Sequence, residues 1–149
     1  MTELTLPEFA DRVNEIMPVI SREFYKQMPN GFYKTRITMV QFGVLDTLVR
    51  EGDLRMTDLA RLINVTTAAM TGIVERLVRD GYAIRGSEDG DRRIIKVKPT
   101  AKGSKVVKHI VENRKSIISK IFAVVSQAER EKYLDILTAI RDRLKEQRS

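Results

Sequence analysis

Apolar residues along this chain recur mostly at helical spacing, with one short interval of the alternation expected of paired strands. Phe9, Val13, Ile16, Ile20 and Phe24 follow one another at steps of 4, 3, 4 and 4, which places them on one face of a helix. Met28-Pro29-Asn30-Gly31 predicts its break. A second helix is predicted from about Thr38 to Glu51, capped by Thr38, burying Val40, Phe42, Leu45 and Leu48 or Val49, and closing at Gly52.

The next interval is denser in boundary signals. Leu54-Arg55-Met56 is short enough to be one strand of a small sheet. Thr57 predicts an N-cap for Asp58-Leu59-Ala60-Arg61-Leu62-Ile63, with Asp58 at the positive end of the helix dipole. Asn64-Val65 makes a turn, and Thr66 caps a further helix whose inner side is Met70, Ile73, Val74 and Leu77 and which stops at Gly81. Tyr82-Ala83-Ile84-Arg85 and Ile94-Ile95-Lys96-Val97-Lys98 read as two strands joined by the polar loop Gly86-Ser87-Glu88-Asp89-Gly90-Asp91.

After Pro99, Thr100 starts a long helix with Val106, Val107, Ile110, Val111, Ile117, Ile118, Ile121 and Phe122 in its apolar stripe. Ser126 caps a last helix on which Tyr133, Ile136, Leu137, Ile140 and Leu144 face inward. The compact middle of the chain is too small to shield the long helices on either side of it. A two-fold dimer with interleaved terminal helices solves that problem; a monomer that folds its tails back on itself is the alternative.

Composition narrows the picture. With no cysteine among 149 residues, disulfides, thiolate metal sites and thiol redox sensing are excluded. The N-terminal residues lack the pattern of a signal peptide and no run is long enough to span a membrane, so a cytoplasmic protein without membrane contact is expected. The formal net charge is +7, and all of the surplus falls between Arg85 and Lys120, where eleven Lys or Arg stand against four acids. Such a concentration of positive charge beside a hairpin suits a phosphate-rich partner.

No Ser-His-Asp arrangement, zinc-protease motif or phosphate-cradling glycine loop is present, and His109, the single histidine, has no partners for a metal site. Neither catalysis nor a cofactor is expected. Two helices joined by a tight turn, then a hairpin carrying Arg92-Arg93, form the order of elements that engages duplex DNA in two grooves. The fold class predicted is mainly α with a small β wing, a winged helix-turn-helix flanked by N- and C-terminal dimerisation helices.

The residues also resemble a known family. Met39-Val40-Gln41-Phe42-Gly43-Val44-Leu45, Met56 to Ile63, Gly81-Tyr82-Ala83-Ile84-Arg85, and Asp91-Arg92-Arg93 followed by Val97-Lys98-Pro99-Thr100-Ala101-Lys102-Gly103 together resemble a MarR-type transcriptional regulator over nearly the whole chain. Pro99 departs from the leucine usual there. The resemblance implies one unit over 1–149, with 1–30 and 100–149 as dimerisation helices and 36–99 as the winged DNA-binding region. It implies a homodimer on a pseudo-palindromic operator, usually a repressor, often released by a small aromatic or anionic effector. The resemblance implies a pocket for such a molecule between the dimerisation helices and the winged region, in the neighbourhood of Tyr33, Arg36 and Arg22, and assigns no residue to the effector.

In that geometry the helix after Thr66 is the recognition helix. Thr66, Thr67, Ala68, Ala69, Thr71 and Gly72 line its outward face, Thr57 lies on the preceding helix, and Arg76 meets phosphate or a carboxylate. The face carries no Arg, Asn or Gln for bidentate base reading, so hydroxyl contacts, thymine methyl contacts and groove shape are expected instead. Arg93 matches the family's minor-groove arginine, Asp91 the carboxylate that orients it through a bidentate pair, and Arg92 meets phosphate. Two other functions remain open, a non-specific architectural DNA binder and a winged-helix module for protein interaction.

Overall fold

A computed structural model of the chain describes residues 3–27, 37–88 and 90–147. In chain order the described elements are α1 (Leu6–Gln27), α2 (Met39–Glu51), β1 (Leu54–Arg55), α3 (Met56–Ile63), α4 (Thr67–Arg79), β2 (Ala83–Glu88), β3 (Asp91–Pro99), α5 (Ala101–Phe122) and α6 (Gln127–Glu146). The architecture is mainly helical with one small antiparallel sheet of order β1-β3-β2. The chain divides into two compact units, a winged unit ending at Asn113 and a helical unit made of α1 and the residues from Arg114 onward.

In the winged unit, local chemistry sets the helix ends. Thr38 caps α2 through a reciprocal box: its hydroxyl accepts the Gln41 N–H at 3.2 Å, and the Gln41 side chain accepts the Thr38 N–H at 2.9 Å. α2 turns Phe42, Val44, Leu45 and Leu48 into the core. Val40 and Val49 are exposed, contrary to the sequence expectation for Val40, because the buried arc is centred on Leu45 and runs through Gln41 and Val44 instead.

α3 also starts differently from expectation. Its N-cap is Arg55 and its first residue is Met56, because β1 runs straight into the helix and Met56 is drawn into the core. Thr57 therefore stands exposed inside the first turn and caps nothing. At the other end Asn64 adopts the left-handed conformation (φ 60°, ψ 49°), and Val65 N–H reaches back to Ala60 O at 3.0 Å. An asparagine tolerates that conformation, and the chain reverses within three residues so that Thr66 can cap α4.

α4 buries Met70, Val74 and Leu77 completely, with Ile73 half-buried against the same core. Each such side chain removed from water stabilises the unit by about 2 kcal/mol. The helix ends in a Schellman arrangement, with Tyr82 N–H on Leu77 O at 2.8 Å and Gly81 N–H on Val78 O at 3.0 Å; Gly81 holds φ +79°, where a side chain is unfavourable.

Thr100 receives this turn: its N–H donates to Tyr82 O at 3.0 Å, and its hydroxyl donates to Gly81 O at 2.7 Å while accepting the Gly103 N–H at 3.0 Å. Val107 and Ile110 of α5 then join the core formed by α2, α3 and α4.

The strands extend beyond the expected segments. Gly86–Glu88 and Asp91, read from the sequence as loop, are strand, and β3 also takes in Arg92 and Arg93. Backbone pairing resumes at the tip with Glu88↔Asp91 even though the side chains there are polar.

In the helical unit, α1 runs unbroken from Leu6 to Gln27 with Pro18 inside it, and the predicted break at 28–31 lies outside the described residues. Ser126 caps α6 with Glu129 completing the box. Phe122 and Tyr133 pack with ring centroids 5.2 Å apart, and the Arg130 guanidinium donates to the carbonyls of Phe122 and Val125. Tyr133, Ile136, Leu137, Ile140 and Leu144, expected to face inward, are all exposed in the single chain. Neither α1 nor α6 has a buried residue.

Candidate nucleic-acid interface

The first turn of α4 is presented to solvent. Thr66 (φ −68°, ψ 155°) accepts the Ala69 N–H on its hydroxyl at 3.1 Å, which fixes the start of the helix. Thr66, Thr67, Ala68 and Ala69 are exposed, Thr71 and Gly72 are half-buried, and Arg76 is exposed farther along. The Thr71 hydroxyl donates to Thr67 O at 2.9 Å, so its oxygen keeps only acceptor capacity for an outside group. Unpaired N–H groups at the start of the helix add positive potential there.

The hairpin has an irregular register. β2 and β3 pair regularly from Ala83↔Pro99 to Ser87↔Ile95, then jump to Glu88↔Asp91, which leaves Arg92, Arg93 and Ile94 out of the ladder. Bulges of this kind re-aim side chains. Gly90 at the tip holds φ +89°, and Asp89, part of the turn signal, lies outside the described residues.

Asp91 does not form the expected bidentate pair with the Arg93 guanidinium. Its Oδ1 accepts the backbone N–H of Arg93 at 2.9 Å, a local bond that satisfies a main-chain donor freed by the bulge. Arg92 and Arg93 are exposed and hold no ion pair among the described residues.

Helix and hairpin meet in a groove of about 390 Å³ lined by Arg55, Met56, Thr57, Thr67, Thr71, Arg85, Arg93, Ile94 and Ile95. Four residues singled out from the sequence, Thr57, Thr67, Thr71 and Arg93, thus share one concave surface. Thr66, Ala68, Ala69, Gly72, Arg76, Asp91 and Arg92 are not among its walls. Arg55 and Arg85 are lining residues that sequence reasoning missed as site residues. Only the position of Arg85 in a strand beside the turn could have flagged it; Arg55 joins the groove through the β1–β3 pairing, which no local pattern announces.

Both of these arginines have carboxylate partners. Arg85 lies 3.8 Å from Glu75, and Arg55 lies 2.9 Å from Glu88, which also holds Lys96 at 3.0 Å. The Lys96 hydrogen bond, with Arg55 adding to it, keeps the Glu88 carboxyl below the ordinary glutamate pKa. Of the residues connected with an effector, Arg22 is exposed on α1, while Tyr33 and Arg36 lie outside the described residues. No helix among the described residues is long and apolar enough to cross a membrane, and they contain no acid or histidine cluster fit for a metal ion.

A three-residue turn between α3 and an outward-facing α4, followed by an arginine-bearing hairpin on a three-stranded sheet, defines a winged helix-turn-helix protein. Residues 37–95 match the model of the MarR family. The chain is 30% identical to the Thermotoga maritima transcriptional regulator Tm0710, superposing with a TM-score of 0.64 over 93% of this chain and 94% of that one. It is 26% identical to RV1404 of Mycobacterium tuberculosis, with a TM-score of 0.77 and coverage of 95% and 96%. Among curated relatives, the HTH-type transcriptional repressor YetL of Bacillus subtilis is 28% identical over 127 residues, 84% of this chain and 76% of YetL. The chain belongs to the MarR family, a family of transcriptional regulators.

Proposed function

We propose that this protein is a homodimeric repressor that binds a pseudo-palindromic duplex operator. The observation that carries the reading is the groove in which Thr67 and Thr71 of α4 converge with Arg93, which holds no ion pair among the described residues. The helix enters the major groove with Thr66, Thr67, Ala68 and Ala69 leading, Thr71 and Gly72 following, and Arg76 on phosphate. The wing sets Arg93 into the adjacent minor groove and Arg92 on the backbone. Thr57 adds a hydroxyl from α3. With threonine, alanine and glycine on the reading face, sequence preference comes largely from thymine methyl contact and from narrow A·T-rich minor groove.

Exposed Phe9 and Ile16 on α1, and Ile136, Ile140 and Leu144 on α6, support pairing of two chains through residues 1–30 and 100–149, leaving 36–99 to hold DNA. The repressor role of YetL supports the direction of regulation. A cytoplasmic location follows from a chromosomal target.

The test is selection of duplexes from a random pool by the purified protein at stated salt, with sedimentation in parallel. An enriched inverted repeat with A·T-rich flanks, bound by two chains, is expected. A pool without enrichment would mean a non-specific DNA binder, and no salt-dependent binding to any duplex would mean a protein-interaction module. Release by a small aromatic or anionic molecule is the remaining part of the reading; salicylate should raise the melting temperature and weaken binding to the selected duplex.

A further inference from the structure

Arg55 stands directly opposite Lys96 in the β1–β3 ladder. Two cations facing one another across a ladder repel, so the arrangement needs a counter-charge. Glu88 supplies it with both of its oxygens: Oε2 accepts from Arg55 Nη2 at 2.9 Å, and Oε1 lies 3.0 Å from Lys96 Nζ. One two-oxygen anion thus bridges two cations. A nucleic-acid phosphate presents the same pair of oxygens, with a full negative charge.

We infer that Arg55 is a further DNA-contacting residue and that Glu88 is a built-in substitute for phosphate, occupying Arg55 and Lys96 until a duplex phosphate displaces it. The position of Arg55 supports this, since it lines the groove that also holds Thr57, Thr67 and Arg93. The clasp is open to solvent, the side chains of Arg55, Lys96 and Glu88 being 49%, 32% and 26% exposed. Exposed ion pairs are weak and readily exchanged. Glu88 sits at the far side of the register jump, on the last pair of the hairpin. Arg55 is the end residue of a two-residue strand. Arg55 keeps its ladder position opposite Lys96 whichever anion its side chain holds, so exchanging one anion for another leaves the fold in place.

The inference rests on the DNA-binding reading and adds an acid that restrains it. In the free protein the three side chains carry a net charge of +1, and loss of the Glu88 charge doubles it. The experiment uses the full-length protein and fluorescence anisotropy with a mixed-sequence duplex of roughly 20 base pairs over a salt series. Glu88→Gln should bind on the order of 3- to 10-fold tighter at about 0.1 M salt with a similar slope of log K against log salt, because Arg55 and Lys96 meet phosphate in either protein and only the displacement of the acid is saved. Arg55→Gln should bind more weakly and flatten the slope by about 0.9. In the Arg55→Gln/Lys96→Gln background, Glu88→Gln should bring no gain.

Equal or weaker binding by a normally melting Glu88→Gln variant would overturn the inference, making Glu88 a structural clasp. So would an unchanged slope in Arg55→Gln, which decides the matter alone should Glu88→Gln fail to fold. Wild-type protein that ignores the duplex in dilute buffer would overturn the DNA-binding reading and this one together; wild-type binding without a gain in Glu88→Gln would overturn only this one.

Discussion

Gly103 lies against the main-chain carbonyl of Tyr82, so closely that a methyl group at position 103 would overlap the oxygen and also stand 3.4 Å from Leu45 Cδ2. The contact seats the start of α5 on the turn that ends α4, where Thr100 also bonds Gly81 and Tyr82. An alanine in a helix ordinarily gains about 1 kcal/mol over glycine. Here overpacking reverses the sign, and Gly103→Ala should lower stability in urea by about 1–3 kcal/mol. Gly43, inside α2 with nothing within 4 Å of where a Cβ would stand, provides the contrast: Gly43→Ala should raise stability by about 0.5–1 kcal/mol. Equal responses at the two positions would rule out close approach as the reason for Gly103.

The cap of α4 should couple stability to binding if this helix is the one that reads DNA. Thr66→Ala removes the acceptor of the Ala69 N–H and should cost about 1 kcal/mol in unfolding. Thr66→Ser keeps the acceptor and should restore the wild-type value. If Thr66 also faces DNA, the alanine variant should lose more duplex affinity than its small stability change explains, measured well below the melting transition; a serine variant as weak as alanine would assign the loss to the threonine methyl group.

Helix boundaries were legible where a side chain satisfies its own neighbourhood. Thr38, Thr66 and Ser126 all cap as their spacing suggests, and the inner face of α4 follows its period through Met70, Val74 and Leu77. Features set by distant partners were not legible. Thr57 has the chemistry of a cap, but the pairing of Leu54 with Val97 and the burial of Met56 start the helix earlier. Arg55 reaches the groove only through that same pairing. The family resemblance pairs Asp91 with the Arg93 guanidinium, yet beside the jump in register the carboxylate accepts the Arg93 backbone N–H instead. The stripe of α6 was read correctly as apolar, but its period does not say what covers it, and Ile136, Ile140 and Leu144 stand exposed among the described residues.

Acid should act on α6 through its cap. The Ser126 backbone N–H, then its hydroxyl, bond the Glu129 carboxylate and hold its pKa below the ordinary glutamate value. A folded-state pKa that is depressed contributes stability that is present above the unfolded-state value and is lost as pH falls through the folded one. The side-chain carboxyl of Glu129, followed by NMR, should therefore titrate below an unperturbed glutamate. Glu129→Gln, which keeps the acceptor but no longer ionises, should flatten the acid limb of the unfolding curve. An ordinary titration midpoint for Glu129 would remove the capping box as a source of acid sensitivity.

The wing separates two roles for Asp91. As the orienting partner of a guanidinium it would need its charge, whereas as an acceptor for the Arg93 N–H it needs only an oxygen in place. Asp91→Asn retains that oxygen and removes a negative charge close to the phosphates, so duplex binding should stay at wild-type strength or tighten. Asp91→Ala leaves the freed N–H to water and loosens the bulge, so binding should weaken although the charge change is the same. Arg93→Ala should weaken binding far more than either, by on the order of 10- to 100-fold, if its guanidinium enters the minor groove. Anisotropy titrations of the variants on the selected operator distinguish these outcomes: Asp91→Asn as weak as Asp91→Ala would restore the charge-paired role, and Arg93→Ala with wild-type affinity would remove the wing from the interface.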